Sequence, residues 1–362
     1  MRKLFKSVSF VFILNLLLVI QPVAAADFGP AKNPDKFNTF LWPTLGQGKN
    51  SSWYEWWYSK VVDPTTGRAF FFVYEVVNPW DTGANPQSVT RAAVTFGDFG
   101  RKMQVTKSVP VTEFRAALDR YDVEIGNPAV ATADSRHLQG RLVSEIGEVV
   151  SWDLVFEDPW SFRAMGWATG IPGLLNIGWY PAQASAKVSG TIRIGDETIH
   201  LERAPGYQDR NWGKSFPKWW SWIVANHWNE GGDAVLVAGG GAPEILGRPS
   251  PYEGMSVGFR YEGKLYTFRP TEGIFPKSDI SFGKWEVSAR DHFGNRIEIS
   301  ANAPLEKFMD LQFLTPQGEI FHDWEALAAN VRVKFTPFGK PAVTLTTSLG
   351  GIEYGSRQQS GL

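Results

Sequence analysis

Apolar residues recur at every second position through most of this chain, and each alternating run ends at a turn signal. Val188, Ile192 and Ile194 share a parity before Gly195-Asp196, and Ile199 and Leu201 continue after it, which predicts a hairpin. Val257, Phe259 and Tyr261 run into Glu262-Gly263, and Leu265 to Phe268 returns. Trp285, Val287 and Ala289 alternate before a turn near Phe293-Gly294-Asn295, with Ile297 and Ile299 after it; Val331, Val333 and Phe335, then Val343 and Leu345, make further strands. Short strands joined by tight turns, with little helical period, predict an all-β fold of antiparallel barrels or sandwiches. Two stretches fit a short helix instead, Thr112 to Leu118 and Asp323 to Ala329.

The N-terminus reads differently. Arg2, Lys3 and Lys6 precede an apolar core from Phe10 to Ile20, and Ala24-Ala25-Ala26 stands before Asp27, the plan of a secretory signal over residues 1–26. The apolar run is short for a membrane span, so an exported protein is expected, in a periplasm or outside the cell. The remaining length exceeds one ordinary core and predicts two domains, 27–200 and 201–362, with the boundary between about Gly195 and Pro205. The irregular, proline-containing stretch from Asp158 to Pro181 is a candidate crossing between sheets.

Composition narrows the chemistry. A net charge of -1 supplies no basic field for nucleic acid. There are no cysteines, which removes disulfides, thiol nucleophiles and Cys-type zinc sites. The five histidines lack ligand spacing, so neither a metal nor a cofactor is expected. Gly239-Gly240-Gly241 is not followed by Gly-Lys-Ser/Thr and reads as a tight turn rather than a phosphate cradle, and no Gly-x-Ser-x-Gly elbow occurs.

Two aromatic constellations remain. In Trp53 to Lys60 a strand would set Trp53, Glu55 and Trp57 on one face and Tyr54, Trp56 and Tyr58 on the other. Residues 206–228 hold five of the sixteen tryptophans around a single acid, Asp209. Each acid has a bland reading, as a paired structural carboxylate among core rings, and a sharper one. A carboxylic acid held neutral by burial among indoles suits protonation of an unactivated alkene, and indole faces stabilise the resulting cation. Asp209 and Glu55 are the candidate acids, Trp57, Trp212, Trp220 and Trp222 the candidate cation-facing rings, and Tyr207 and Asn211 the groups placed to orient acid or substrate; Glu353 is a lesser third acid.

The run Gly206-Tyr207-Gln208-Asp209-Arg210-Asn211-Trp212-Gly213, followed by Ser215-Phe216-Pro217, Trp220-Ser221-Trp222 and Asn226, resembles the signature of the tocopherol cyclase family, relatives of the carotenoid 1,2-hydratases. Glu55-Trp56-Trp57-Tyr58-Ser59-Lys60 resembles that family's Glu-Gly-Trp-Tyr-Phe-Lys, and Ala238 to Gly241, Tyr261 to Tyr266 and Gly351 to Glu353 follow in family order. The resemblance implies two packed lipocalin-like barrels or sandwiches, and closure of a prenylated hydroquinone to a chromanol by alkene protonation. It favours Asp209 as the acid and carries Asn226 over as a substrate-binding position. Water capture of the cation, as in the hydratases, and a non-catalytic carrier of hydrophobic molecules are the alternatives. The implied partner is a hydrophobic small molecule, a prenylquinol or other isoprenoid, with peripheral membrane contact open. The chain departs from the plant cyclases in its export signal, in Asp209 where they carry Glu, and in Ala225-Asn226 where they carry Cys-Asn.

Overall fold

A computed structural model of the protein describes residues 37–46, 51–83 and 89–358, all within one compact unit. The expected leader, residues 1–26, lies outside the described residues. Eleven strands form the first sheet: β1 (Tyr54–Val62), β2 (Ala69–Val77), β3 (Arg91–Asp98), β4 (Met103–Val109), β5 (Phe114–Ala116), β6 (Asp122–Gly126), β7 (Ala129–Asp134), β8 (His137–Val143), β9 (Val149–Trp160), β10 (Ile177–Ile194) and β11 (Glu197–Gly213). Their order is β4-β3-β2-β1-β11-β10-β9-β8-β7-β6-β5, and the sheet curls until β3 approaches β6, a nearly closed barrel.

The remaining strands are β12 (Trp219–Ala225), β13 (Val235–Gly241), β14 (Glu244–Ile245), β15 (Arg248–Pro249), β16 (Gly254–Tyr261), β17 (Lys264–Phe268), β18 (Lys277–Ser281), β19 (Lys284–Arg290), β20 (Arg296–Asn302), β21 (Met309–Leu314), β22 (Ile320–Thr336) and β23 (Val343–Ser356). All but the small β14–β15 hairpin join one half-barrel sheet, in the order β17-β16-β13-β12-β23-β22-β20-β19-β18, with β21 paired to β22.

The strand patterns follow from what each face meets. β2, Ala-Phe-Phe-Phe-Val-Tyr-Glu-Val-Val, is buried at every position because one face lines the barrel interior and the other packs on the second sheet. β19 alternates exposed and buried residues, because only one face meets a core. Four cores result among the described residues: Phe72, Phe96 and Trp152 inside the barrel, Trp285, Val287 and Phe335 inside the half-barrel, Trp56, Tyr58, Tyr207, Trp222 and Phe321 between the sheets, and a smaller one of Leu41, Trp53, Tyr180 and Trp212.

The strands expected from alternation are all present, and they pair as β10–β11, β16–β17, β19–β20 and β22–β23. Both expected helices are absent. Asp323 to Ala329 lies inside β22, and Thr112 to Leu118 is a short 3₁₀ turn at Val111–Glu113 followed by β5. Gly239-Gly240-Gly241 is the end of strand β13, paired on both sides, rather than a turn. Position 200 falls within β11, and the chain leaves the first sheet only between Gly213 and Trp219.

Candidate functional site

Alternation along β11 sorts the signature into two faces. Tyr207, Asp209 and Asn211 point toward the second sheet, and Gln208, Arg210 and Trp212 point away from it. Asp209 sits opposite Tyr58 of β1 and is only 6% exposed. Its Oδ2 accepts hydrogen bonds from the Trp179 indole N–H and the Tyr207 hydroxyl, each at 2.8 Å, and its Oδ1 accepts a longer one, 3.3 Å, from the Asn211 amide. Trp222 donates in turn to the Tyr207 oxygen at 3.1 Å, tying β12 to the acid. No cation pairs with Asp209 among the described residues. Burial therefore dominates: it pushes the carboxyl up from 3.8 to about 7, against the smaller opposing pull of the Trp179 and Tyr207 hydrogen bonds.

The second sheet presents three more acids to the same interface. Register places Trp222, Glu353 and Glu325 side by side across β12, β23 and β22, and Trp220, Gly355 and Asp323 in the next row. Trp220 donates its indole N–H to Asp323 at 3.1 Å, and the Tyr58 hydroxyl donates to Glu325 Oε1. Asp323 and Glu353 act on each other's ionisation. Burial raises all three, Asp323 to about 8 against the opposing pull of its Trp220 hydrogen bond, and repulsion from Asp323 adds to the rise of Glu325 and Glu353. Lys60 is the neighbouring base. Its burial lowers it to about 8 against the pull of Glu325, and its ammonium lies 5.9 Å from the centre of the Trp222 ring.

Glycines make the indoles fit. A Cβ on Gly239 would stand 2.5 Å from Trp179, one on Gly351 2.5 Å from Trp222, and one on Gly355 2.4 Å from Trp220. Each of these rings occupies the space that a side chain on another strand would take. The glycines of β13 and β23 are thus the counterpart of the tryptophan run.

The other predicted residues gather elsewhere. Glu55 is fully buried on the opposite face of β1, where it forms an ion pair with Arg210 and accepts from the Trp53 indole at 2.7 Å and the Leu41 backbone N–H at 3.0 Å. The Arg210 guanidinium lies 4.5 Å from the Trp57 ring centre and 5.4 Å from that of Trp212. Glu55, Trp57 and Trp212 therefore surround a buried cation and do not meet Asp209. Asn226 spends its amide on the Gly206 carbonyl, 2.7 Å away, fastening β12 to β11.

Sequence reasoning passed over Trp179, Tyr58, Lys60, Asp323 and Glu325. The signal for the last two was their spacing: two apart, they share a face only in a strand, and the segment read as helical.

A model of the family described as tocopherol cyclase-like matches residues 132–356. The chain belongs to the tocopherol cyclase-like family. It is 33% identical over 138 residues to a probable chloroplastic tocopherol cyclase of Oryza sativa subsp. japonica, covering 38% of this chain and 29% of that protein. It is 24% identical over 301 residues to the chloroplastic tocopherol cyclase of Zea mays, covering 70% of this chain and 63% of that one. The chain thus spans less than two thirds of the length of these curated relatives. Among solved structures it is similar to CghA, with a TM-score of 0.52 and 11% identity over 93% of this chain and 98% of that one, a likeness of fold alone.

Proposed function

We propose that this protein is an acid catalyst that protonates an isoprenoid alkene and closes a ring through a phenol oxygen, converting a prenylated hydroquinone to a chromanol. The observation that carries the reading is Asp209, a buried carboxyl held by neutral donors alone and raised to about 7. Family membership and the likeness to curated cyclases support the substrate class.

The hydrogen bonds assign the two oxygens. Oδ2 takes both short bonds and acts as the acceptor, which leaves Oδ1, with its single long contact, to carry the proton. Trp179, Asn211 and Trp220 are partly exposed, so the alkene reaches Oδ1 from their side. The π pair takes the proton and leaves a tertiary cation; the phenol oxygen then forms the C–O bond and releases its proton. A positioned acid supplies about 10²–10⁴-fold. The rest must come from orientation and from indole faces, each contributing about 2 kcal/mol or more to a desolvated cation. Trp222 already faces the Lys60 ammonium and so presents a cation-binding surface.

Incubating the protein with a prenylated hydroquinone and with an acyclic carotenoid tests the reading. Chromanol from the first supports it; a hydrated carotenoid with no chromanol would transfer the site to water capture, and binding without any product would make it a carrier. Export by residues 1–26 belongs to the same proposal, and mass analysis of the secreted protein should find Asp27 at its N-terminus.

A further inference from the structure

Ring closure needs a base as well as an acid, because the capturing hydroxyl must lose its proton as the C–O bond forms. Asp209 is itself a carboxylate once its proton has gone to the alkene carbon, but it lies on the face it has protonated; a hydroxyl that adds on the opposite face gives its proton to a second group. Four features of the second sheet bear on this need. Asp323 and Glu353 act on each other's ionisation, and two neighbouring carboxyls share one proton more readily than both ionise. Glu325, completely buried, receives the Tyr58 hydroxyl on Oε1 and has no partner on Oε2. Of the three, Glu353 alone is partly exposed; Asp323 and Glu325 are sealed behind it. Glu353 is also the direct strand neighbour of Trp222, whose indole N–H leads through the Tyr207 hydroxyl to Asp209.

We propose that Glu353 is the catalytic base, accepting the proton of the capturing hydroxyl, with Asp323 and Glu325 as positioning residues; this rests on the ring-closing reading above. The step balances. Asp209 O–H gives its proton to the alkene carbon, the π electrons form the new C–H bond, an oxygen lone pair forms the C–O bond, and the O–H electrons stay on oxygen as its proton moves to a Glu353 carboxylate oxygen. One proton enters and one leaves, so the reaction is an isomerisation with no co-reactant. Asp323 holds the shared proton and Glu353 carries the charge of the pair; the repulsion from Asp209 that helps raise Glu353 is absent while Asp209 is neutral. Glu325, fixed by Tyr58 and opposite Glu353 in the β22–β23 register, packs behind it. Asp209 and Glu353 exchange protons with solvent once product has left past Trp179 and Asn211.

The test uses the whole protein and a prenylated hydroquinone in D2O, and compares wild type with Glu353→Gln, Glu353→Asp and Asp209→Asn. Two quantities are read, chromanol formed and deuterium appearing at the alkene positions of recovered substrate. The expected result for Glu353→Gln is closure slowed about 10²–10⁴-fold with deuterium entry retained, because the cation still forms and collapses by losing a proton. Glu353→Asp should recover part of the closure rate, and it also serves if the Gln variant does not fold. Asp209→Asn should lose label and closure together. Unchanged closure in Glu353→Gln, or equal loss of label and closure, overturns the base assignment and leaves the acid assignment standing. A wild type that makes no product from any isoprenoid removes the ring-closing reading, and the base assignment falls with it.

Discussion

Asp209 and Glu55 are both buried acids beside tryptophans, and what separates them is a single residue, Arg210. Strand parity sends Arg210 to the face of Glu55, where Trp57 and Trp212 enclose it, and leaves Asp209 with neutral donors. The two acids should therefore fail in opposite ways. Glu55→Gln strands a buried guanidinium and should lower unfolding stability by about 3–5 kcal/mol in urea denaturation, with turnover of the folded fraction little changed. Asp209 titrates higher folded than unfolded. Its stabilising contribution is complete below about 3.8 and disappears as pH rises through about 7, where the folded protein must ionise it. Melting temperatures recorded between pH 4 and 8 should accordingly fall less steeply for Asp209→Asn than for wild type; parallel curves would show that the carboxyl is not raised.

At the scale of elements, much was legible beforehand and the misses share one cause. Hairpins with clean alternation and a Gly-containing turn, such as Val257 to Phe268, declared themselves because one face of each strand meets solvent or a loose edge. Asp323 to Ala329 did not, because β22 lies between two buried faces there and its acids interrupt the apolar pattern that marks a strand. The triple glycine of β13 was likewise misread, since its purpose is set by a ring on another strand. Trp179 occupies the space over Gly239, and nothing local to 239 announces it. Gly239→Ala should push Trp179 off the strand, break its bond to Asp209, and reduce turnover by more than it reduces melting temperature. A variant equal to wild type in both would show that the ring has room to spare.

Across the whole molecule, the proposed site draws on both sheets. The first contributes Asp209, Tyr207, Asn211, Trp179 and Tyr58, and the second Trp220, Trp222, Asp323, Glu325 and Glu353. The Tyr207–Asp209–Asn211 part was readable because it is contiguous in a strand and lies in the family signature. The acids of β22 depend on two sheets meeting at one register, which no local pattern encodes. Packing the sheets face to face buries Asp209, Asp323 and Glu325 and part of Glu353, and that desolvation makes an acid usable near neutral pH. The most direct measurement is the rate of chromanol formation from a prenylated hydroquinone by wild type and by Asp209→Asn of equal melting temperature. A loss of about 10²-fold or more in the variant is predicted; equal rates would contradict Asp209 as the proton donor.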